Sequence, residues 1–489
     1  MAEATERRGE LATELPSKHL PGVQYRDMPE PLPLGKIVGA SVVLLATALG
    51  SGELIIWPYI TSQVGIGLLW LAFVGFSMQY FLNMEIERYT LATGETAVTG
   101  FTRFWKPWGI IFCLGAFLPN MWPGWATGGA TMISYLFGFE TEGTKTVAIL
   151  AIIGLVAIGV AITVSPVIYQ TIEKVQFFLV GFIALFMVVA LVFATKASSW
   201  AAMVTQAPSG VANFPSLLGE LGIATLLGAI AFAGAGGANN LTQSNYIRDK
   251  GMGMGIHIPR IVSPITGEEV AAPSLGYMTK TDEPNVRRWK GWWSVANKEQ
   301  IVTFYIVGLI TLIGLSVLVH STGAKGEAAD PSFLQTEAQV LGRQIGYWFE
   351  VFFYLAGFAI LFSTNLGIID YVSRLIADSL KVSFFSRSEA VTESRIYFTV
   401  AWLMIIFGSI VLLAGFDQPL VLLIIASSGG GVVMAFYSWM LIVLNRRALP
   451  APIRLKGWRL PIMYVIAVFF SIFSVLLVYD VVRTNVFGG

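Results

Sequence analysis

The chain has one cysteine, Cys113, and three histidines among 489 residues, and only 12% of its residues are charged. A lone cysteine excludes an internal disulfide and leaves the redox compartment open. Soluble domains carry roughly a quarter of their residues as charges, so this composition does not suit a soluble enzyme, a coiled coil or a disordered regulator. The net charge of +1 provides no basic face for nucleic acid. No phosphate loop, metal-ligand cluster or nucleophile–base pair is visible, which argues against an ATPase or a membrane enzyme. Residues 1–35 are mixed in charge and contain proline but no apolar core. They read as a soluble cytoplasmic tail and not as a signal peptide.

What the chain does have is apolar length. Hydrophobic residues make up 55%, glycine contributes 50 residues, and the mean hydropathy is +0.69. This is the composition of a polytopic α-helical membrane protein, in which glycine permits close helix packing. Windows of about 20 apolar residues predict eleven spans: helix 1 at 36–64, helix 2 at 67–88, helix 3 at 108–137, helix 4 at 146–164, helix 5 at 170–195, helix 6 at 217–246, helix 7 at 299–320, helix 8 at 346–371, helix 9 at 396–415, helix 10 at 418–444 and helix 11 at 460–482. With the N-terminus in the cytoplasm, inner segments hold 25 Lys/Arg and outer segments 5. That asymmetry is the positive-inside pattern and predicts a multi-pass plasma-membrane protein with its C-terminus outside.

Helices 1–5 (36–195) and 6–10 (196–444, with a cytoplasmic insertion at 248–298) form two five-helix halves, followed by helix 11 and the C-terminus (445–489). An odd number of helices per half makes the two halves inverted repeats. Their first helices are interrupted at matching places, Gly50-Ser51-Gly52 in helix 1 and Gly234 to Ala238 in helix 6. Paired broken helices near the bilayer midplane point to a transporter's substrate site.

Three stretches resemble the Nramp family of proton-coupled divalent-metal transporters. SMQYFLNMEIERYTLATGETAVTG resembles the end of that family's helix 2, VIYQTIEKVQFFLVGFIALFMVVALVF its helix 5, and LNRRAL the exit of its helix 10. The resemblance covers most of residues 36–484. It implies the LeuT-like fold, a 5+5 inverted repeat with broken helices 1 and 6, and a divalent cation as transported substrate with no resident cofactor. The signature motifs depart from the family. Its Asp-Pro-Gly-Asn corresponds here to Gly50-Ser51-Gly52-Glu53, and its Met-Pro-His-Asn-Leu to Gly237-Ala238-Asn239-Asn240-Leu241. The thioether ligand and the helix 6 histidine are both absent, and helix 3 carries no acid. Protons therefore remain an open partner, and Glu53 is the one titratable group expected at the centre.

The candidate substrate site comprises Gly50, Ser51, Gly52, Glu53, Ala235, Gly236, Gly237, Asn239 and Asn240. A carboxylate in mid-membrane is costly unless paired, protonated or facing water. Glu53 is therefore either an ion ligand or a cap on the second half of helix 1, where its charge meets the positive dipole end. Asn239 and Asn240 have the same two readings, ligand or N-cap. Thr242 and Gln243, with Asn245, extend a polar stripe expected to line an inner exit path. Glu87 and Arg88 suit an ion pair or gate at the inner end of helix 2, and Asp370, Arg374 and Asp378 suit pairing along helix 8. Trp122-Pro123-Gly124 predicts a kink in helix 3, Thr266-Gly267-Glu268 a hairpin, and Trp289, Trp292 and Trp293 an interfacial anchor. Two other functions stay open: transport of a small organic solute on the same fold, and a non-transporting sensor or scaffold.

Overall fold

The structure is a computed structural model. It describes residues 10–486 except 51, 142–144, 165–167, 259–274, 325–331, 387, 389 and 417, with backbone alone at 484–486. Nine helices among the described residues are long and apolar enough to cross a membrane. They are Ala40–Val64 (helix 1), Ile66–Thr93 (helix 2), Thr146–Val164 (helix 4), Ile168–Phe193 (helix 5), Glu283–Thr322 (helix 7), Tyr347–Ser383 (helix 8), Glu393–Leu413 (helix 9), Pro419–Arg447 (helix 10) and Arg459–Arg483 (helix 11).

The other two expected spans are pairs of shorter helices. Helix 3 is Trp108–Asn120 followed by Gly124–Phe137, and helix 6 is Ile223–Ala231 followed by Asn239–Lys250. At 1.5 Å per residue, the first half of helix 6 is only about 14 Å long. Pro119 and Pro123 flank the break in helix 3, where proline removes backbone donors and crowds the preceding turn. Residues 217–221, expected within helix 6, belong instead to Phe214–Leu221, and the chain bends by 101° before helix 6 begins. Gly222 makes that corner with φ +79°, a conformation other residues rarely adopt.

Helix 8 lies at the centre, packed against helices 1, 5 and 9 and both halves of helix 3, while helix 10 packs against the first half of helix 6 and helix 11. Lipid tails are as apolar as leucine, so these contacts depend on close fit more than on exclusion of water. At Gly237 an added β-carbon would meet the Cα of Gly430 at 3.0 Å, so helix 10 presses directly on the helix 6 break.

The N-terminal tail and the segment before helix 7 differ from the expectation of a free tail and a fifty-residue loop. Asp282 caps a helix that starts at Glu283 and runs on into the membrane as helix 7, with its side chain accepting the Asn285 amide at 3.0 Å. Residues 283–298 of the expected insertion are thus helix. The predicted hairpin at Thr266-Gly267-Glu268 falls outside the described residues. Met278–Thr279 pairs in parallel with Tyr25–Arg26 of the N-terminal tail. That tail buries Leu15, Leu20, Val23 and Met28, and Arg103 donates to the carbonyls of Pro16 and Pro21. The tryptophan cluster also faces protein. Trp289 and Trp292 are buried, and Arg88 lies 4.1 Å over the Trp293 ring.

Candidate functional site

The break in helix 1 follows Ala48, and the chain resumes at Gly52 as a π turn, Gly52–Ile56. The break in helix 6 runs from Phe232 to Ala238, starting two residues earlier than expected. The two breaks cross so closely that a β-carbon at Gly52 would overlap the carbonyl oxygen of Phe232. Glycine is required here because backbone meets backbone.

Gln79 of helix 2 secures the helix 6 break. Its Nε2 donates to the carbonyls of Ala231 at 2.8 Å and Ala233 at 2.7 Å, and its Oε1 accepts the Gly236 amide at 2.8 Å. One side chain thus satisfies three backbone groups that lose helical partners at the break. Trp57 does similar work at the end of the preceding half-helix, donating to Ala229 at 2.8 Å.

Between the breaks lies a cavity of about 20 Å³, lined by Thr47, Ala48, Gly52, Asn120, Trp125, Phe232, Gly234, Ala235, Asn239, Thr364, Ile368 and Tyr371. This is room for about one water-sized body. The side-chain donors are oxygens: the Thr47 and Thr364 hydroxyls, the Asn120 and Asn239 amides and the Tyr371 phenol. Asn239 Oδ1 is buried without a partner.

Of the expected site residues, Gly52, Ala235 and Asn239 line this cavity. Glu53 is fully buried beside it, with Oε2 accepting the Gly50 amide at 3.1 Å and Oε1 unpartnered. The carboxylate therefore caps the break and keeps one free oxygen. Asn240 turns away, donating to Asn83 at 2.6 Å. Gly50 packs against Thr364, and Gly236 and Gly237 shape the turn with φ +67° and +57°. Ser51 lies outside the described residues.

The expected exit path is not open in this conformation. Thr242, Gln243 and Asn245 are buried within the protein and do not line an open exit. Asp370 and Arg374 pair as spaced, and Arg374 also holds Asp249. Asp378 instead pairs with Arg248 at 2.5 Å, which reaches Glu393 as well at 3.0 Å. Arg88 pairs with Glu85 at 2.7 Å, and Glu85 also holds Arg459 of helix 11 at 2.8 Å; Glu87 joins neither. Just beyond helix 2, burial alone would push Glu95 up, but the Arg103 guanidinium and its hydrogen bonds hold the carboxyl below its ordinary value.

Sequence reasoning missed Thr47, Asn120, Thr364 and Tyr371. Gln79 and Asn83 were within reach, because with Glu87, named as a gate residue, they fall at i, i+4 and i+8 and mark one face of an apolar helix.

No family model and no curated protein sequence matches the chain. Solved structures do. A variant of the manganese transporter of Eremococcus coleocola superposes with a TM-score of 0.65 at 10% identity, over 94% of this chain and 90% of that one. The same transporter in complex with an aromatic bis-isothiourea substituted compound gives a TM-score of 0.64 at 11% identity over the same shares. MhsT in complex with L-phenylalanine gives 0.52 at 15% identity, over 93% of this chain and 99% of that one. The chain is a multi-pass integral membrane protein that shares the fold of these transporters.

Proposed function

We propose that the chain is a secondary transporter related to the Nramp proteins, which moves a divalent metal cation across the plasma membrane by alternating access. The observation that carries this reading is the crossing of two broken helices around an oxygen-lined cavity of about 20 Å³. The unpartnered oxygens of Glu53 and Asn239 supply a charge and a carbonyl beside it. Hard oxygen donors suit Mg²⁺, Ca²⁺ and Mn²⁺. With no thioether in the lining, discrimination in favour of softer transition ions is expected to be weak. Likeness to a manganese transporter adds support, and the 25-to-5 charge bias supports an N-terminus in the cytoplasm and a C-terminus outside.

A small organic solute is the second reading, since MhsT was solved in complex with L-phenylalanine. The cavity in this closed conformation favours the ion, because it is too small for an amino acid. Thermal shift across metals and solutes separates the two, since a true ligand stabilises by RT ln(1 + [L]/Kd).

The direct test is uptake into proteoliposomes carrying a divalent-ion dye and a pH dye. Wild type should accumulate Mn²⁺, and Glu53→Gln should lose about 10-fold or more of the rate, an effect of at least 1.4 kcal/mol. Metal and proton should compete for the Glu53 carboxylate, so uptake should weaken as external pH falls, with little acidification of the lumen. Metal-driven acidification that survives Glu53→Gln would sink this account of the site.

A further inference from the structure

In the cytoplasmic half, most buried acids have an arginine. Glu85 holds Arg88 and Arg459, Glu95 holds Arg103, Asp249 and Asp370 hold Arg374, and Asp378 holds Arg248. Glu87 of helix 2 and Glu299 of helix 7 are equally buried and make no ion pair among the described residues. The cations that face them are engaged elsewhere, Lys250 with Glu173 at 2.5 Å and Arg459 with Glu85 at 2.8 Å. Two carboxylates out of water without a counter-charge are strongly disfavoured.

The two acids are linked through neutral polar groups, the Gln243 amide and Ser41. Gln243 Nε2 donates to Glu87 Oε1 at 2.9 Å and to Ser41 Oγ at 3.2 Å. Ser41 donates its amide to Glu299 Oε1 at 3.2 Å, and its hydroxyl contacts both Glu299 Oε2 and Gln300 Oε1. Helices 1, 2, 6 and 7 therefore converge on one polar cluster in which Glu87 Oε2 and Gln243 Oε1 are buried with no partner. The cluster continues the ladder from the centre. Asn240 bonds to Gln79 and Asn83, and one helical turn on Gln243 bonds to Glu87. Gln79 to Glu87 is about 12 Å along helix 2.

We infer that Glu87 and Glu299, with Ser41, Gln243 and Gln300, form a second divalent-cation site, an inner station between the central cavity and the cytoplasm. The inference rests on the reading that the cargo is a divalent cation. Two carboxylates balance a charge of 2+, and a hydroxyl with two amide carbonyls completes a set of hard oxygen donors. Protons on the acids would cancel the same charge but leave the amide oxygens poorly used. The inner half of helix 1 contributes Ser41, so movement of that half away from helix 7 removes a ligand and releases the ion towards the cytoplasm.

The test is Mn²⁺ binding to the purified full chain in lipid nanodiscs, measured by equilibrium dialysis at neutral pH. Wild type should bind two equivalents, and both Glu53→Gln and the double variant Glu87→Gln/Glu299→Gln should bind one. Ser41→Ala, which keeps both acids, should weaken only the inner equivalent, by about 10-fold. If the double variant retains every equivalent of wild type while Glu53→Gln loses one, the inner station is overturned and the transport reading stands. Altered proton release with unchanged Mn²⁺ binding overturns it equally, making the pair a proton carrier. No Mn²⁺ bound by wild type overturns both readings.

Discussion

Glu337 sits on the helix Ser332–Ile345, between helices 7 and 8 and outside the apolar spans. It is buried, and its Oε1 has no partner. Burial pushes its carboxyl well above the ordinary value, so the folded protein holds a proton that the unfolded chain releases at lower pH. The favourable balance is complete below the unfolded pKa and is lost as pH rises through the folded one. Glu337→Gln should therefore raise the melting temperature at pH 7.5 by about 1–4 °C. The gain should shrink towards zero near pH 4, and a gain of equal size at both pH values would contradict the burial argument. Single residues differed in how far the sequence exposed them. Glu53 was legible because a lone acid deep in an apolar run has few bland explanations. Glu299 was not, because it falls where a polar segment meets an apolar one, and only the fold turns it towards Ser41.

Among elements, the C-terminal parts of helices 6 and 8 are joined by Arg374, which holds Asp249 and Asp370, while Tyr246 and Tyr397 donate to Asp370 at 3.1 and 2.8 Å. Removing one partner of a buried ion network leaves charge without compensation. Arg374→Ala should cost roughly 3–5 kcal/mol, read as a lower thermal midpoint, and Arg374→Lys should recover part of it. An unchanged midpoint in the alanine variant would show that the network carries no stability. The spacing of Asp370 and Arg374 made their pairing readable, whereas Asp378 with Arg248 joins two helices and has no local signature. Helix breaks were legible from glycine and proline clusters, but the boundaries of helix 6 were not. The helix Phe214–Leu221 continues the apolar composition of helix 6, and only Gly222 separates the two.

For the whole molecule, the charge asymmetry predicts sidedness. With Cys113 replaced by alanine, a cysteine at the exposed position Lys280 should react with an impermeant reagent only from the cytoplasmic side, and one at the exposed Arg343 only from outside. Reversed labelling would invert the topology. The fold as a whole was readable because span length, loop charge and paired breaks are properties of the chain itself. The central cavity was less so, since Thr47, Asn120, Thr364 and Tyr371 come from three separate helices, 1, 3 and 8, and look ordinary in each.

The N-terminal tail gives the fold a mechanical property. Glu10–Ala12 pairs with Val23–Tyr25, Tyr25–Arg26 pairs with Met278–Thr279, the Pro16 and Pro21 carbonyls accept from Arg103, and the chain then passes into the short helix Leu34–Ile37 and into helix 1. Any tilt of Ala40–Ala48 must pull on that strap. Backbone hydrogen bonds peeled one at a time resist less than bonds sheared together. The direction in which helix 1 swings therefore sets how stiffly the tether answers, and the tail acts as a brake geared to one motion of that helix.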